Sequence, residues 1–230
     1  MKKQIVVIGL GRFGSRLAST LTDFGHEVLA IDKREDRVNR LLTRVTQCVL
    51  ADVTNENVLK ELGVGNFDVG IVAIGYDPMS SILATTLLKK LGVRYIVARA
   101  QDELHGEILS RVGANTVVNP EIDMGARIAH STTLEEIVDH IVLTERYGVS
   151  KLAVPSYLVG MTLTEAGFGR MGKTDHMVLI LQRQKEITLV PERTETLKEG
   201  DILVIAGPGD SLDHLLDAAK KRNAKVQTDA

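Results

Sequence analysis

A glycine loop set between an apolar run and an amphipathic stretch restricts this chain more than any other feature. Ile5-Val6-Val7-Ile8 leads into Gly9-Leu10-Gly11-Arg12-Phe13-Gly14, and a helical pattern follows. In a G-x-G-x-x-G turn the first glycine permits the sharp strand-to-helix reversal, the second lets backbone approach a pyrophosphate, and the third lets helix and strand pack closely. N–H groups at the helix start then attract phosphate charge. A second apolar run, Val28-Leu29-Ala30-Ile31, ends in Asp32, 21 positions after Gly11. That spacing suits a carboxylate bonding to ribose hydroxyls.

From residue 4 to 118 short apolar runs alternate with helical patterns. Strands are expected near 4–8, 27–31, 47–50, 69–74, 95–99 and 116–118, and helices near 13–24, 34–43, 55–62, 79–91 and 102–111. This alternation predicts an α/β fold, a doubly wound parallel sheet of Rossmann type. Asn119-Pro120-Glu121 reads as a cap, a first-turn proline and an acid, opening a connecting helix that is expected to run to about 145. Leu134, Ile137, Val138 and Ile141 form its apolar stripe, which serves either core packing or an oligomer contact. Beyond Gly148, strand signals at 149–154, 177–182, 186–190 and 202–206, with short helices near 162–168 and 209–220, predict a small α+β lobe. Gln184-Lys185 is the expected hairpin turn. The expected division is 1–133 for the nucleotide lobe with the start of the crossover helix, 134–221 for the crossover end and the C-terminal lobe, and 222–230 for a frayed tail.

Composition removes several function classes. A formal net charge of −2 gives no electrostatic drive toward nucleic acid, and 3% aromatic residues with no tryptophan disfavour base-stacking platforms. Cys48 has no second cysteine to pair with, and its neighbours Val49 and Leu50 suggest a buried strand position. No run of eighteen apolar residues occurs, so any association with a membrane is expected to go through a partner. The six histidines are scattered without metal-ligand spacing, and no G-x-S-x-G elbow is present.

Doubly wound sheets bind ligands at the carboxyl ends of their strands. Asp52 follows the third strand, Ala73-Ile74-Gly75 the fourth, and Arg99 closes the fifth, so all are candidates beside the glycine loop. Arg12 lies within the loop and could reach a terminal phosphate or an adjacent subunit. Asp32 repels a 2′-phosphate, which disfavours NADP even though Lys33 and Arg34 follow. NAD(H), ATP, ADP and AMP remain alternatives. Glu121 is placed to stabilise a helix N-terminus; at a twofold axis, two copies would need a divalent cation.

Gly9-Leu10-Gly11-Arg12-Phe13-Gly14, the run from Gly25 to Asp32, Val72-Ala73-Ile74-Gly75, Ala98-Arg99-Ala100 and the run from Asn119 to Gly125 together resemble the cytosolic regulatory subunits of Trk/Ktr potassium-uptake systems. These carry the regulator-of-potassium-conductance (RCK) domain, and the resemblance covers nearly the whole chain. It implies a nucleotide-sensing gating-ring subunit, not an enzyme, that controls potassium transport. The glycine loop and Arg12 would hold phosphates, Asp32 the ribose, Asp52, Val53, Ala73 and Ile74 the adenosine end, and Arg99 a phosphate, with Lys33 and Gly75 also counted in the nucleotide site. The implied ligands are ATP/ADP or NAD(H), with Glu121 contributing to a Mg or Ca site between paired subunits. Dimers would assemble into an octameric ring under a membrane potassium-translocating subunit, placing the protein in the cytoplasm at the inner face of the membrane. Gly167-Phe168-Gly169-Arg170-Met171-Gly172 departs from the segment expected of a cyclic di-AMP module, so that ligand is not assigned. A small NAD-dependent oxidoreductase and a sensor subunit of another transporter, such as a potassium/proton antiporter, are the alternatives.

Overall fold

Strands covered on both faces need apolar side chains on both, and the first half of the chain supplies them. In the computed structural model, which describes residues 1–133, 137–144, 146–168 and 176–208 together with Leu212 and Leu216, the chain divides into two units, Met1–Pro120 and Glu121–Ala230. The first holds six strands: β1 (Gln4–Ile8), β2 (Glu27–Asp32), β3 (Gln47–Leu50), β4 (Val69–Val72), β5 (Tyr95–Arg99) and β6 (Thr116–Val118). They lie in the order β3-β2-β1-β4-β5-β6, and every pairing is parallel.

Successive side chains of a strand point to opposite faces, so β1 feeds two cores. Ile5 and Val7 pack with Ala18 of α1 (Arg12–Asp23) and with Val38 and Leu41 of α2 (Glu35–Leu41). Val6 and Ile8 pack with Leu59 of α3 (Glu56–Glu61), Leu88 of α4 (Pro78–Lys90) and Leu109 of α5 (Glu103–Val112). Truncating the fully buried Leu88 to alanine would cost about 2–5 kcal/mol. The helix starts are fixed locally: Asp77 accepts from Ser80 N–H with Pro78 in the first turn, and Asp102 accepts from His105 N–H. Cys48 is half-buried rather than enclosed; its Sγ lies 3.7 Å from the Val38 carbonyl oxygen, and burial raises its thiol pKa.

The second unit contains α6 (Pro120–Thr133) apart from its first residue, together with β7 (Ile137–Val142), β8 (Tyr147–Ala153), α7 (Leu163–Ala166), β9 (Met177–Arg183), β10 (Glu186–Leu189) and β11 (Ile202–Pro208). Its described strands form an antiparallel sheet in the order β10-β9-β11-β8-β7. Leu152, Leu158, Leu181, Leu197, Leu203 and Ile205 fill the core. Arg183 joins the turns at one end: it donates to both Asp201 oxygens at 2.9 and 2.8 Å and to Glu195 Oε1 at 3.0 Å. The Gln184-Lys185 turn is found as expected, with Arg183 opposite Glu186.

The connecting helix expected to reach residue 145 is corrected by the structure. α6 extends to Thr133, and Ile137, Val138 and Ile141 belong to strand β7; Leu134 lies outside the described residues. The register of β7 against β8 shifts between Ile137 and Asp139. One extra residue at such a bulge changes the spacing of positions on one face, and here the two buried residues, Ile137 and His140, stand three apart. A bulged strand thereby imitates helical spacing. Its β-branched content favours the strand. The helix expected near 209–220 falls largely outside the described residues, but Leu212 and Leu216 are helical and buried. Gly169-Arg170-Met171-Gly172 and the tail at 222–230 are also outside them.

Candidate functional site

β1 and β4 are neighbours, yet the helices that follow them pack on opposite faces of the sheet. A crevice opens at such a switch point, outside the carboxyl ends of the strands. The glycine loop fills one side of it. Gly9 has φ +91°, and a Cβ there would stand 3.1 Å from Ala73 and Ile74. A Cβ on Gly14 would lie only 1.9 Å from the Gly9 carbonyl oxygen, so this position admits glycine alone. Gly11 differs: nothing lies within 4 Å of where its Cβ would be. Its face is open to an approaching group.

Helix α1 starts at that open position with Gly11 as its cap, no side-chain capping bond and no acidic residue in its first turn. By contrast, α2, α3 and α5 each carry an acid in the first turn. The positive end of α1 therefore has no acidic side chain of its own first turn against it.

Asp32 ends β2 with its side chain almost wholly buried. Oδ2 accepts from Leu10 N–H at 2.6 Å and from Arg37 Nη1 at 3.1 Å, and Oδ1 accepts from Arg34 N–H at 2.9 Å. The carboxylate thus holds the glycine loop to the start of α2. Across the crevice, the Arg99 guanidinium lies 5.9 Å from the Phe13 ring centroid. A Cβ on Gly75 would meet its Nη1 at 2.3 Å, so the glycine makes room for the arginine. Lys33 Nζ is 3.6 Å from Asp77 Oδ2, bridging the ends of β2 and the start of α4.

The other expected residues are placed less directly. Arg12 is exposed at the mouth of the loop. Asp52 is exposed, and its Oδ1 accepts from both the N–H and the hydroxyl of Thr54; those bonds hold its carboxyl pKa below the usual value. Val53 is buried in the core with Ile31 and Leu59, while Ala73 is buried and Ile74 half-buried beside Gly9. Glu121 is exposed in the first turn of α6. Among the described residues no three His, Cys, Asp or Glu side chains gather as a metal site. Glu121 alone offers one carboxylate, where Ca²⁺ takes about six to eight oxygens.

Two residues escaped sequence reasoning. Arg37, five positions after Asp32, returns to that carboxylate from the first turn of α2. A cation just past the acid was the available signal. His105 is buried on α5, with Nδ1 accepting from Gln101 N–H at 3.2 Å; burial lowers its pKa, opposed by the Asp102 charge. No motif marks it.

Residues 5–120 match the TrkA-N domain family and residues 149–220 the TrkA-C domain family. Ktr system potassium uptake protein C of Bacillus subtilis (strain 168) is 40% identical over 207 residues, spanning 90% of this chain and 93% of that protein. Ktr system potassium uptake protein A of Vibrio alginolyticus is 35% identical over 214 residues, 93% of this chain and 96% of that protein. Among solved structures, the GsuK RCK domain superposes with TM-score 0.67 at 21% identity over 94% of this chain, which spans 48% of that one. A GsuK channel bound to NAD gives TM-score 0.61 at 21% identity, with this chain covering 38% of it. A TrkA-N and a TrkA-C domain in sequence, with close identity over nearly full length, place the chain in the family of Ktr potassium uptake proteins, the RCK-domain regulatory subunits of Ktr/Trk systems.

Proposed function

We propose that this chain is a nucleotide-sensing regulatory subunit of a potassium uptake system, and that the crevice between Gly11, Asp32, Gly75 and Arg99 is its nucleotide site. The observation that carries the reading is the uncapped α1 N-terminus at the open face of Gly11, in the same loop that is tied to a strand-end carboxylate. The glycine loop would receive phosphates, Arg12 and Arg99 would neutralise them, and Asp32 would accept from ribose hydroxyls. Asp52, Val53, Ala73 and Ile74 would border the adenosine end, with Lys33 at the rim. NAD in the GsuK channel supports an adenine nucleotide as the ligand class.

Regulation needs no bond to be broken. A nucleotide that binds one conformation better than another shifts the balance toward it, and a coupling of about 1–3 kcal/mol changes affinity at a second site about 5- to 150-fold. The second site would be a membrane potassium-translocating subunit, since no described helix is long and apolar enough to cross a membrane. The protein would act in the cytoplasm, at the inner face of the membrane. Subunits would pair and assemble into an octameric ring; α6, which exposes Ile122, Met124 and Ile128, supports a contact between copies. Glu121 would supply one oxygen of a Mg or Ca site between paired subunits.

The test is mass spectrometry of the copurified nucleotide, then calorimetric titration of the stripped protein with ATP, ADP, NADH and NAD. Saturable binding of at least one is expected. Binding of none, or turnover of a nicotinamide cofactor with a substrate, would overturn the reading.

A further inference from the structure

A carboxylate offers about four acceptor positions. In Asp32 three of them are filled within the protein, by Leu10 N–H, Arg34 N–H and Arg37 Nη1. One position is left for two ribose hydroxyls. The first two donors are backbone groups, fixed by the glycine loop and the start of α2, and cannot withdraw without moving the fold. Arg37 is the only one of the three on a rotatable side chain, and its side chain is 27% exposed, so it has solvent to move into. Neighbouring cations are occupied elsewhere: Arg34 is on Asp36 at 2.9 Å, and Lys33 is near Asp77.

We propose that Arg37 is a specificity-determining residue of the nucleotide site: it occupies the second ribose-binding position of Asp32 and must yield before both hydroxyls can bind. This rests on the nucleotide reading above. Arg37 acts as an internal competitor for the ribose diol, lowering affinity for the ribonucleotide but not for a ligand without those hydroxyls. Before nucleotide arrives, the same ion pair balances the buried Asp32 charge.

The experiment measures affinity for ADP and for 2′,3′-dideoxy-ADP by calorimetry, in wild type, Arg37→Met and Arg37→Lys. Methionine keeps an apolar stem and removes the donors, whereas lysine keeps a competing cation. The ratio of the two affinities cancels the general loss of one positive charge near the phosphates. In Arg37→Met the preference for ADP over the dideoxy ligand should rise about threefold to tenfold, the range expected when a hydroxyl no longer has to displace a partly exposed ion pair. Arg37→Lys should stay near the wild-type ratio. Circular dichroism and thermal unfolding establish that each variant is folded, and Arg37→Ala replaces Arg37→Met if the latter is not. An unchanged or reduced ratio in the folded variant overturns the proposal while leaving the nucleotide site standing. Absence of adenine-nucleotide binding by wild type overturns both.

Discussion

The backbone N–H of Leu10 donates to Asp32 Oδ2 at 2.6 Å, so the glycine loop and the carboxylate at the end of β2 form one unit. Asp32 therefore has a structural load besides any ligand. Replacing it by alanine leaves the Leu10 and Arg34 N–H groups without their acceptor, at about 1–3 kcal/mol for each one that stays buried. Asp32→Asn keeps an acceptor oxygen for Leu10. Urea unfolding should place Asp32→Ala below Asp32→Asn and both below wild type; an alanine variant as stable as wild type would contradict the bond's importance.

Gly11 and Gly14 should separate binding from folding. Gly14→Ala sets a Cβ against a backbone oxygen and should destabilise the first unit by about 3 kcal/mol or more. Gly11→Ala meets open space at an ordinary φ of −66°, so stability should change by no more than about 1 kcal/mol. Nucleotide affinity should nonetheless fall about tenfold or more, because the methyl occupies the approach of the pyrophosphate. Thermal unfolding and calorimetry on both variants provide the check, and full affinity in Gly11→Ala would count against the phosphate position.

Asp201 makes the second unit acid-sensitive. Burial pushes its carboxyl pKa up, but the Arg183 guanidinium and the Lys198 N–H outweigh this and hold it below the usual value. A lowered native pKa means that the stabilisation is complete above the unfolded value of about 4 and is lost as pH falls through the native one. At pH 7, Asp201→Asn should cost about 3 kcal/mol by leaving Arg183 without its main counter-charge. The gap to wild type should narrow below pH 4 in denaturant titrations; a gap independent of pH would refute the ion-pair origin.

His105 acts at milder acidity in the first unit. Its pKa is lowered by burial, so below about pH 6.5 the unfolded chain takes up a proton that the native imidazole resists. Stability should decline as pH drops from there toward the native pKa. His105→Asn retains an acceptor for Gln101 N–H and should flatten that part of the stability profile. An identical slope in the variant would place its origin elsewhere.

The parallel sheet was legible because its signals are local: Val6-Val7-Ile8, the glycine loop and Asp32 each state their role within a few residues. Gly14 could be read as a packing glycine from the motif alone, and the structure shows why, with the Gly9 carbonyl where its Cβ would be. β7 was misread because a bulge put its buried residues at helical spacing, and pairing with β8 is a nonlocal event that periodicity does not record. Arg37 stayed hidden for a related reason. Its partner lies on another element, and an arginine in the first turn of a helix is otherwise a common solvated residue.

The most direct measurement is potassium flux into proteoliposomes holding the cognate potassium-translocating subunit, with and without this protein, under ATP, ADP, NADH and NAD in turn. Flux should depend on the nucleotide only when the protein is present, and the dependence should disappear in Gly11→Asp, whose folding and assembly are verified beforehand, since its carboxylate stands where the pyrophosphate approaches. Equal nucleotide dependence without the protein, or an unaltered response in Gly11→Asp, would contradict the account.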